Sequence, residues 1–193
     1  MKKLVTLLFL FPFLYASSQD WESKYDYVDN CVCGLSKVKK DGKIGYVDKL
    51  GKEVIKPQYE EGLTFHEGYT AVKTGGKWFY LDSLGKQITE AIYEEALTFT
   101  DGLACVGKNN LFGFIDTNGK TVIALQFSNA RGFTEGFAPA ANAKGFWGYI
   151  DMKGNWQIKA QYDFADDFEN GKARVILGQK VMYINKNNQQ VSE

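Results

Sequence analysis

Histidine, arginine, cysteine and proline are scarce in this sequence, and each shortage removes a class of chemistry. Its 193 residues hold one histidine, three cysteines, three prolines and two arginines, Arg131 and Arg174. A nucleophilic triad needs a histidine beside a serine or cysteine. The single His66 falls in a loop between Phe65 and Glu67, without such a partner, and reads as a surface residue. Zinc asks for more ligands than Cys31, Cys33 and one distant histidine provide. Nucleic-acid binders gather Arg and Lys into a patch, and no run here does so. No glycine-rich phosphate loop stands between a strand and a helix. These shortages point away from nucleic acid, from a bound metal or cofactor, and from catalysis.

Long hydrophobic runs are also missing, with one short exception. Leu4 to Tyr15 is an apolar run of twelve residues, preceded by Lys2 and Lys3 and followed by Ala16-Ser17-Ser18. A membrane span takes about 20 apolar residues, so this pattern reads as a removable secretory leader over residues 1–18. No cysteine follows it directly, which argues against a lipid anchor. The expected mature chain, 19–193, carries 21 basic and 23 acidic side chains and no integral membrane segment. The expected location is outside the cytoplasm: periplasm, cell surface or medium.

What the sequence has in abundance is itself. Asp48, Asp82, Asp116 and Asp151 lie 34, 34 and 35 residues apart, and Asn185 follows 34 later. Gly51, Gly85, Gly119 and Gly154 keep that spacing, as do Tyr59, Tyr93, Phe127 and Tyr162. Gly68, Gly102, Gly136 and Gly171 form another such series, and Tyr25 and Gly34 extend the last two backwards. A fixed period marks a repeat architecture. The units run 42–75, 76–109, 110–144 and 145–178, with partial units over 21–41 and 179–193.

Helical hairpins also come in units of this length, but each unit here carries several glycines and turn signals about every 8 to 12 residues. No apolar stripe at helical spacing is long enough. The runs WFYLD, LFGFID and FWGYID are aromatic and branched-aliphatic, with strand character. Each unit reads as three strands: this run, a segment such as Gln87 to Tyr93 after a D-x-x-G-K turn, and a segment such as Tyr69 to Lys73. Alternation puts Trp78 and Tyr80 on one face and Phe79 and Leu81 on the other, so the first strand is expected to be covered on both sides. Gly45, Gly113 and Gly148 replace Phe79 in sister units, and we expect a neighbouring unit to approach closely there.

Three features invite sharper readings. DTNGK at Asp116 resembles the start of a calcium loop. It lacks the further acidic ligands, and Asn185 replaces the aspartate in the last copy, so a hairpin turn is the better reading. Glu60-Glu61 and Glu94-Glu95 are adjacent on strands and point to opposite faces, which suits solvated strand ends better than a catalytic pair. Cys31 aligns with Phe65, Phe99, Phe133 and Phe168, which predicts a buried packing thiol. Three cysteines leave at least one unpaired, so a disulfide is the lesser option for Cys31, Cys33 and Cys105.

GFWGYID at Gly145 to Asp151, KPQYEE at Lys56 to Glu61, FTDGLA at Phe99 and FTEGFA at Phe133 together resemble WG (KWG) repeats. The likeness spans about residues 21–193. Ile44 and Phe112 depart from the pattern's Trp, Phe79 and Met182 from its Gly, and its Pro remains only at Pro57. The resemblance implies a β-rich bacterial exported protein. We expect an all-β chain of tandem three-stranded β-meander repeats in an open or gently curved solenoid-like array, with a closed propeller-like ring as the alternative. The expected function is a non-enzymatic module binding an envelope or extracellular protein. The alternative is glycan or cell-wall binding, in which Trp78, Trp147 and Trp156 would be the ligand-contact residues.

Overall fold

The structure, a computed structural model, describes residues 21–90 and 92–193; the expected leader lies outside them. After one turn of 3-10 helix at Glu22–Lys24, the described chain forms antiparallel strands in five successive sheets. The first holds β1 (Tyr27–Val28), β2 (Leu35–Lys40), β3 (Lys43–Asp48) and β4 (Glu53–Tyr59). The second holds β5 (Glu61–Gly62), β6 (Tyr69–Thr74) and β7 (Lys77–Asp82). The third holds β8 (Glu95–Thr100), β9 (Leu103–Lys108), β10 (Leu111–Asp116) and β11 (Thr121–Phe127). The fourth holds β12 (Asn129–Ala130), β13 (Ala138–Ala141), β14 (Trp147–Ile150) and β15 (Trp156–Tyr162). The fifth holds β16 (Phe164–Ala165), β17 (Lys172–Leu177), β18 (Lys180–Asn185) and β19 (Gln190–Val191). Each is a meander, and none is closed into a barrel. Among the described residues no helix is long and apolar enough to cross a membrane.

The three strands expected in each unit are present except in unit 76–109, where Gln87 to Tyr93 makes only isolated bridges to β7, and a sheet is not a unit. In the second sheet β6 belongs to unit 42–75 and β7 to unit 76–109, paired from Tyr69↔Asp82 to Thr74↔Lys77. Every complete unit therefore contributes to two sheets, and the covalent chain ties neighbouring sheets together. A short additional strand such as β5, paired as Glu61↔Lys73 and Gly62↔Val72, forms one edge of its sheet.

Both faces of the central strands are buried, as the alternation predicts. Tyr46, Val47, Tyr80, Phe114, Ile115, Tyr149 and Ile150 have no accessible surface, and Leu81 and Ile184 have almost none. Each junction stacks an aromatic of one sheet on the F-x-E/D-G phenylalanine of the next. Ring centroids are 4.9 Å apart for Tyr46 and Phe65, 5.1 Å for Tyr80 and Phe99, 4.8 Å for Phe114 and Phe133, and 4.7 Å for Tyr149 and Phe168. The tyrosine hydroxyls are also used: Tyr46 donates to the Leu63 carbonyl at 2.6 Å, Tyr80 to Leu97 at 2.7 Å and Tyr149 to Asp166 at 2.7 Å. Burial pushes the phenols of Tyr46, Tyr80 and Tyr149 up, so they stay protonated donors.

Two expectations need correction. The close approach at Gly45, Gly113 and Gly148 comes from the next strand of the same unit. A Cβ on Gly148 would lie 2.4 Å from the Ile158 carbonyl oxygen, and one on Gly45 2.5 Å from the Pro57 nitrogen. A bulge explains this: Ile44 pairs with Tyr59 but Tyr46 with Ile55, so extra residues of β4 fold over Gly45. Unit 76–109 carries Phe79 at that position, and its second strand is reduced to the isolated bridges Trp78↔Tyr93 and Leu81↔Gln87. Cys31, expected to be buried, is exposed. It lies between β1 and β2 of the first sheet, and among the described residues no preceding sheet offers the aromatic on which Phe65 or Phe99 packs. Cys33 is exposed as well, and Cys105 is buried; all three are free thiols. Burial pushes the Cys105 thiol up to about 12.

Candidate protein-binding surface

Most polar residues that caught the eye in the sequence are committed to holding the array together. The Asp48, Asp82, Asp116 and Asp151 carboxylates each accept two backbone amides of their own turn, at 2.9 to 3.0 Å; Asp116 takes those of Asn118 and Lys120. Asn185 does the same with Asn187 and Gln189. Glu60 accepts the Gly75 and Gly76 amides at 2.9 and 3.1 Å, and these hold its pKa down. Its neighbour Glu61 points elsewhere, to Lys73 at 2.7 Å. Glu94 takes Lys77 at 3.0 Å and the Asn109 amide at 2.9 Å. The exposed His66 ring hydrogen-bonds through Nδ1 to the Phe99 carbonyl of the next sheet at 2.6 Å. Among the described residues no group of three or more His, Cys, Asp or Glu is placed to hold a metal ion.

The E/D-G pair of the repeat has its own role. Glu67, Asp101 and Glu135 adopt φ of 51° to 53°, unusual for residues with a Cβ, and precede glycines of positive φ. Each side chain reaches the next sheet and accepts the equivalent glycine amide: Glu67 from Gly102 at 3.0 Å, Asp101 from Gly136 at 3.0 Å, Glu135 from Gly171 at 3.1 Å. All four junctions have the aromatic pair; the tyrosine hydroxyl on a carbonyl is missing from the third-to-fourth junction, which has Phe114, and the carboxylate on a glycine amide from the first-to-second, where Cys33 holds that register. Asn170 holds the acidic register in the fifth sheet, also at positive φ.

The fifth sheet turns the same face outward. Its Tyr183, in register with Tyr46, Tyr80, Phe114 and Tyr149, is only half-buried and donates to Glu193 Oε1 at 3.0 Å. A groove of about 590 Å³ lies over it, lined by Asp166, Asn170, Lys172, Arg174, Tyr183 and Glu193 among others. Both arginines of the chain converge here. Arg174 Nε donates to Asp166 Oδ2 at 2.7 Å and Arg131 Nη1 to Asp166 Oδ1 at 3.3 Å, and both guanidinium groups lie over the Phe164 ring at 5.6 and 5.0 Å. Their distance in sequence hid this pairing. They occupy different registers of adjacent units, so only an alignment combined with strand pairing would expose it.

The tryptophans flagged in the sequence are not brought together. Trp78 is buried in the packing of the second and third sheets, with the Lys73 ammonium 5.6 Å from its ring. Trp147 is half-buried near Phe164, at 6.1 Å, and Trp156 half-buried against Phe127, at 5.6 Å.

The fold and its junctions define a tandem β-meander repeat protein. The chain belongs to the WG containing repeat family, whose profile matches residues 44–78, 78–112, 112–142 and 147–180. No curated relative matches the chain. Among solved structures it is similar in fold to a eukaryotic initiation factor, at 11% identity and TM-score 0.57, over 87% of this chain and 53% of that one. Kluyveromyces lactis Hsv2p matches at 13% identity and TM-score 0.54, over 87% of this chain and 62% of that one. The AfRom2 CNH domain matches at 11% identity and TM-score 0.50, over 87% and 70%. The chain thus spans about half to two thirds of the length of most of these structures.

Proposed function

We propose that the protein is an exported, non-catalytic module that binds a protein partner of the cell envelope or exterior on the fifth-sheet face. One observation carries this reading: Tyr183 is half-buried under a groove of about 590 Å³, whereas Tyr46, Tyr80, Phe114 and Tyr149 in its register are fully buried. The internal junctions specify the occupant. It is a protein loop that offers an aromatic ring to Tyr183, a backbone carbonyl beside that ring, and a glycine amide to Asn170. A surface with Lys172 and Arg174 opposite Asp166 and Glu169 adds charge selectivity to such a contact.

The test is retention of proteins from an envelope extract by the mature protein and by a Tyr183→Ala, Arg174→Glu double variant. A retained protein that the double variant loses at least tenfold, with unchanged circular dichroism, supports the face. Equal retention by both proteins sinks it. Binding to envelope glycans that depends on Trp147 or Trp156 would instead promote the glycan reading. Export rests on the leader, and mass spectrometry of native protein should find residues 1 to about 18 removed. Mature material that keeps Met1 to Tyr15 would refute it.

A further inference from the structure

Tyr46 ends in a socket built by the second sheet. Its hydroxyl lies 2.6 Å from the Leu63 carbonyl oxygen and 3.0 Å from Thr70 Oγ1, and its ring lies against Phe65 at 4.9 Å. Thr70 Oγ1 also donates to the Leu63 carbonyl at 2.7 Å, so a carbonyl and a hydroxyl converge on one phenol.

The first sheet carries the same three registers, with Asp29 for Leu63, Cys31 for Phe65 and Ser36 for Thr70. Its backbone holds them in the same way. The Asp29 amide donates to the Lys37 carbonyl at 2.8 Å, as the Leu63 amide does to Ala71 at 2.9 Å, and Val32 bridges Leu35 as His66 bridges Tyr69. Asp29, Cys31 and Ser36 line one cavity of about 360 Å³, with Trp21, Val28 and Lys49 among its other walls and no tyrosine. That volume falls at the small end of ligand sites.

Two polar groups of this cavity are spare. Ser36 is 4% exposed, yet its hydroxyl has no hydrogen bond among the described residues, whereas Thr70 has both Tyr46 and Leu63. Unlike the hydroxyls of Thr100 and Thr134, it is not sealed from solvent. The Asp29 carboxylate is held by Lys37 at 3.4 Å and Thr64 at 3.2 Å, while its carbonyl accepts no bond among the described residues. Trp21 packs over Gly51 as Ile55 packs over Gly85, so an indole stands where the last strand of a neighbouring sheet stands at the next junction.

We propose that this cavity binds a phenol ring, its hydroxyl donating to the Asp29 carbonyl and accepting from Ser36 Oγ, its ring between Trp21 and Cys31. These are the bonds that Tyr46 makes one sheet further on. A plain aromatic ring would leave the carbonyl and the hydroxyl unpaired, which selects for the phenol. The Cys31 sulfur, in the place of Phe65, is a soft apolar neighbour for a ring. The phenol is either a free small molecule or a tyrosine side chain of a protein partner. The site lies on the first sheet and does not depend on the fifth-sheet face.

The test uses the mature protein carrying Cys33→Ser, in which Cys31 is the one exposed thiol because Cys105 is buried. Alkylation of Cys31 by iodoacetamide then reports on the cavity itself. The probes are 4-methylphenol and Nα-acetyl-tyrosine methylamide, with 4-methylanisole as a control that keeps the ring and lacks the donor. A phenol is expected to protect Cys31 in a saturable way, and 4-methylanisole to bind about tenfold more weakly. Ser36→Ala should weaken phenol binding about threefold or more. It should fold normally, because Ala104, Ala138 and Ala173 hold that register, buried, in three other sheets. Protection by the blocked tyrosine assigns a protein source, and protection by 4-methylphenol alone assigns a free phenol. No protection by either phenol, equal potency of 4-methylanisole, or unchanged binding in Ser36→Ala would overturn the site.

Discussion

Truncating Phe114 to Ala is expected to cost about 3–5 kcal/mol, the range for removing a buried phenyl ring. Phe114 has no accessible surface, stacks on Phe133 at 4.8 Å, and packs with Leu103, Cys105, Ile123 and Phe127. The change therefore weakens the third sheet's core and its junction with the fourth together. A typical domain has about 5–15 kcal/mol in total, so the variant loses a large share. Repeat arrays owe their cohesion to contacts between neighbours, which adds a spatial expectation. Amide exchange should accelerate in β13 and β14 of the fourth sheet more than in β2 and β3 of the first. Urea denaturation of wild type and variant gives the magnitude. A loss below about 1 kcal/mol would mean that Phe114 is not a junction residue, and uniform exchange across all sheets would mean that the array unfolds as one unit.

The parts of this fold legible in the sequence are those repeated in register. The period fixed the units, the alternation of Trp78 and Tyr80 with Phe79 and Leu81 pointed to a strand covered on both faces, and the D-x-x-G turns were readable because Asn185 could stand in for Asp. Strands of two residues such as β5 and β12 have no periodicity to detect. The offset between unit and sheet also leaves no mark in an alignment, since any starting point gives the same period. Cys31 shows the limit of alignment most plainly. Its register predicts burial, but register does not say that no earlier sheet among the described residues packs over the first. The glycines of Gly45 type pointed correctly to close approach and wrongly to its origin, because composition does not distinguish a bulge within a unit from contact between units. The fifth-sheet face was invisible for a related reason. Tyr183 has the same sequence context as four buried aromatics, and only the packing among the described residues leaves it half-buried.

Gly119→Val is expected to destabilise the array by more than about 3 kcal/mol, and two separate causes can be distinguished. Gly119 ends the β10–β11 turn at φ 78°, where a β-branched side chain is strained by roughly 1–2 kcal/mol. A Cβ there would also stand 2.3 Å from the Ile88 carbonyl oxygen and 2.9 Å from Thr89 Cγ2, both in the segment between β7 and β8 that bridges to β7, so that segment must move. Gly145 isolates the first cause: its φ is 84° but nothing lies within 4 Å of the Cβ position. Gly119→Asn isolates the second, because Asn tolerates positive φ, as Asn188 does at 61° in the corresponding place of the last unit. Thermal and chemical melts should rank Gly119→Val as most damaging, with Gly145→Val and Gly119→Asn each showing part of the loss. Asp116→Asn should cost less than about 1 kcal/mol, since Asn185 already accepts the same pair of turn amides at 3.0 Å. Calcium should leave the wild-type midpoint unchanged. Equal losses in Gly119→Val and Gly145→Val would remove the inter-sheet contact from the account. If Asp116→Asn proves the worse change and calcium raises the wild-type midpoint, the D-x-x-G segment is a cation loop rather than a turn seated on its neighbour.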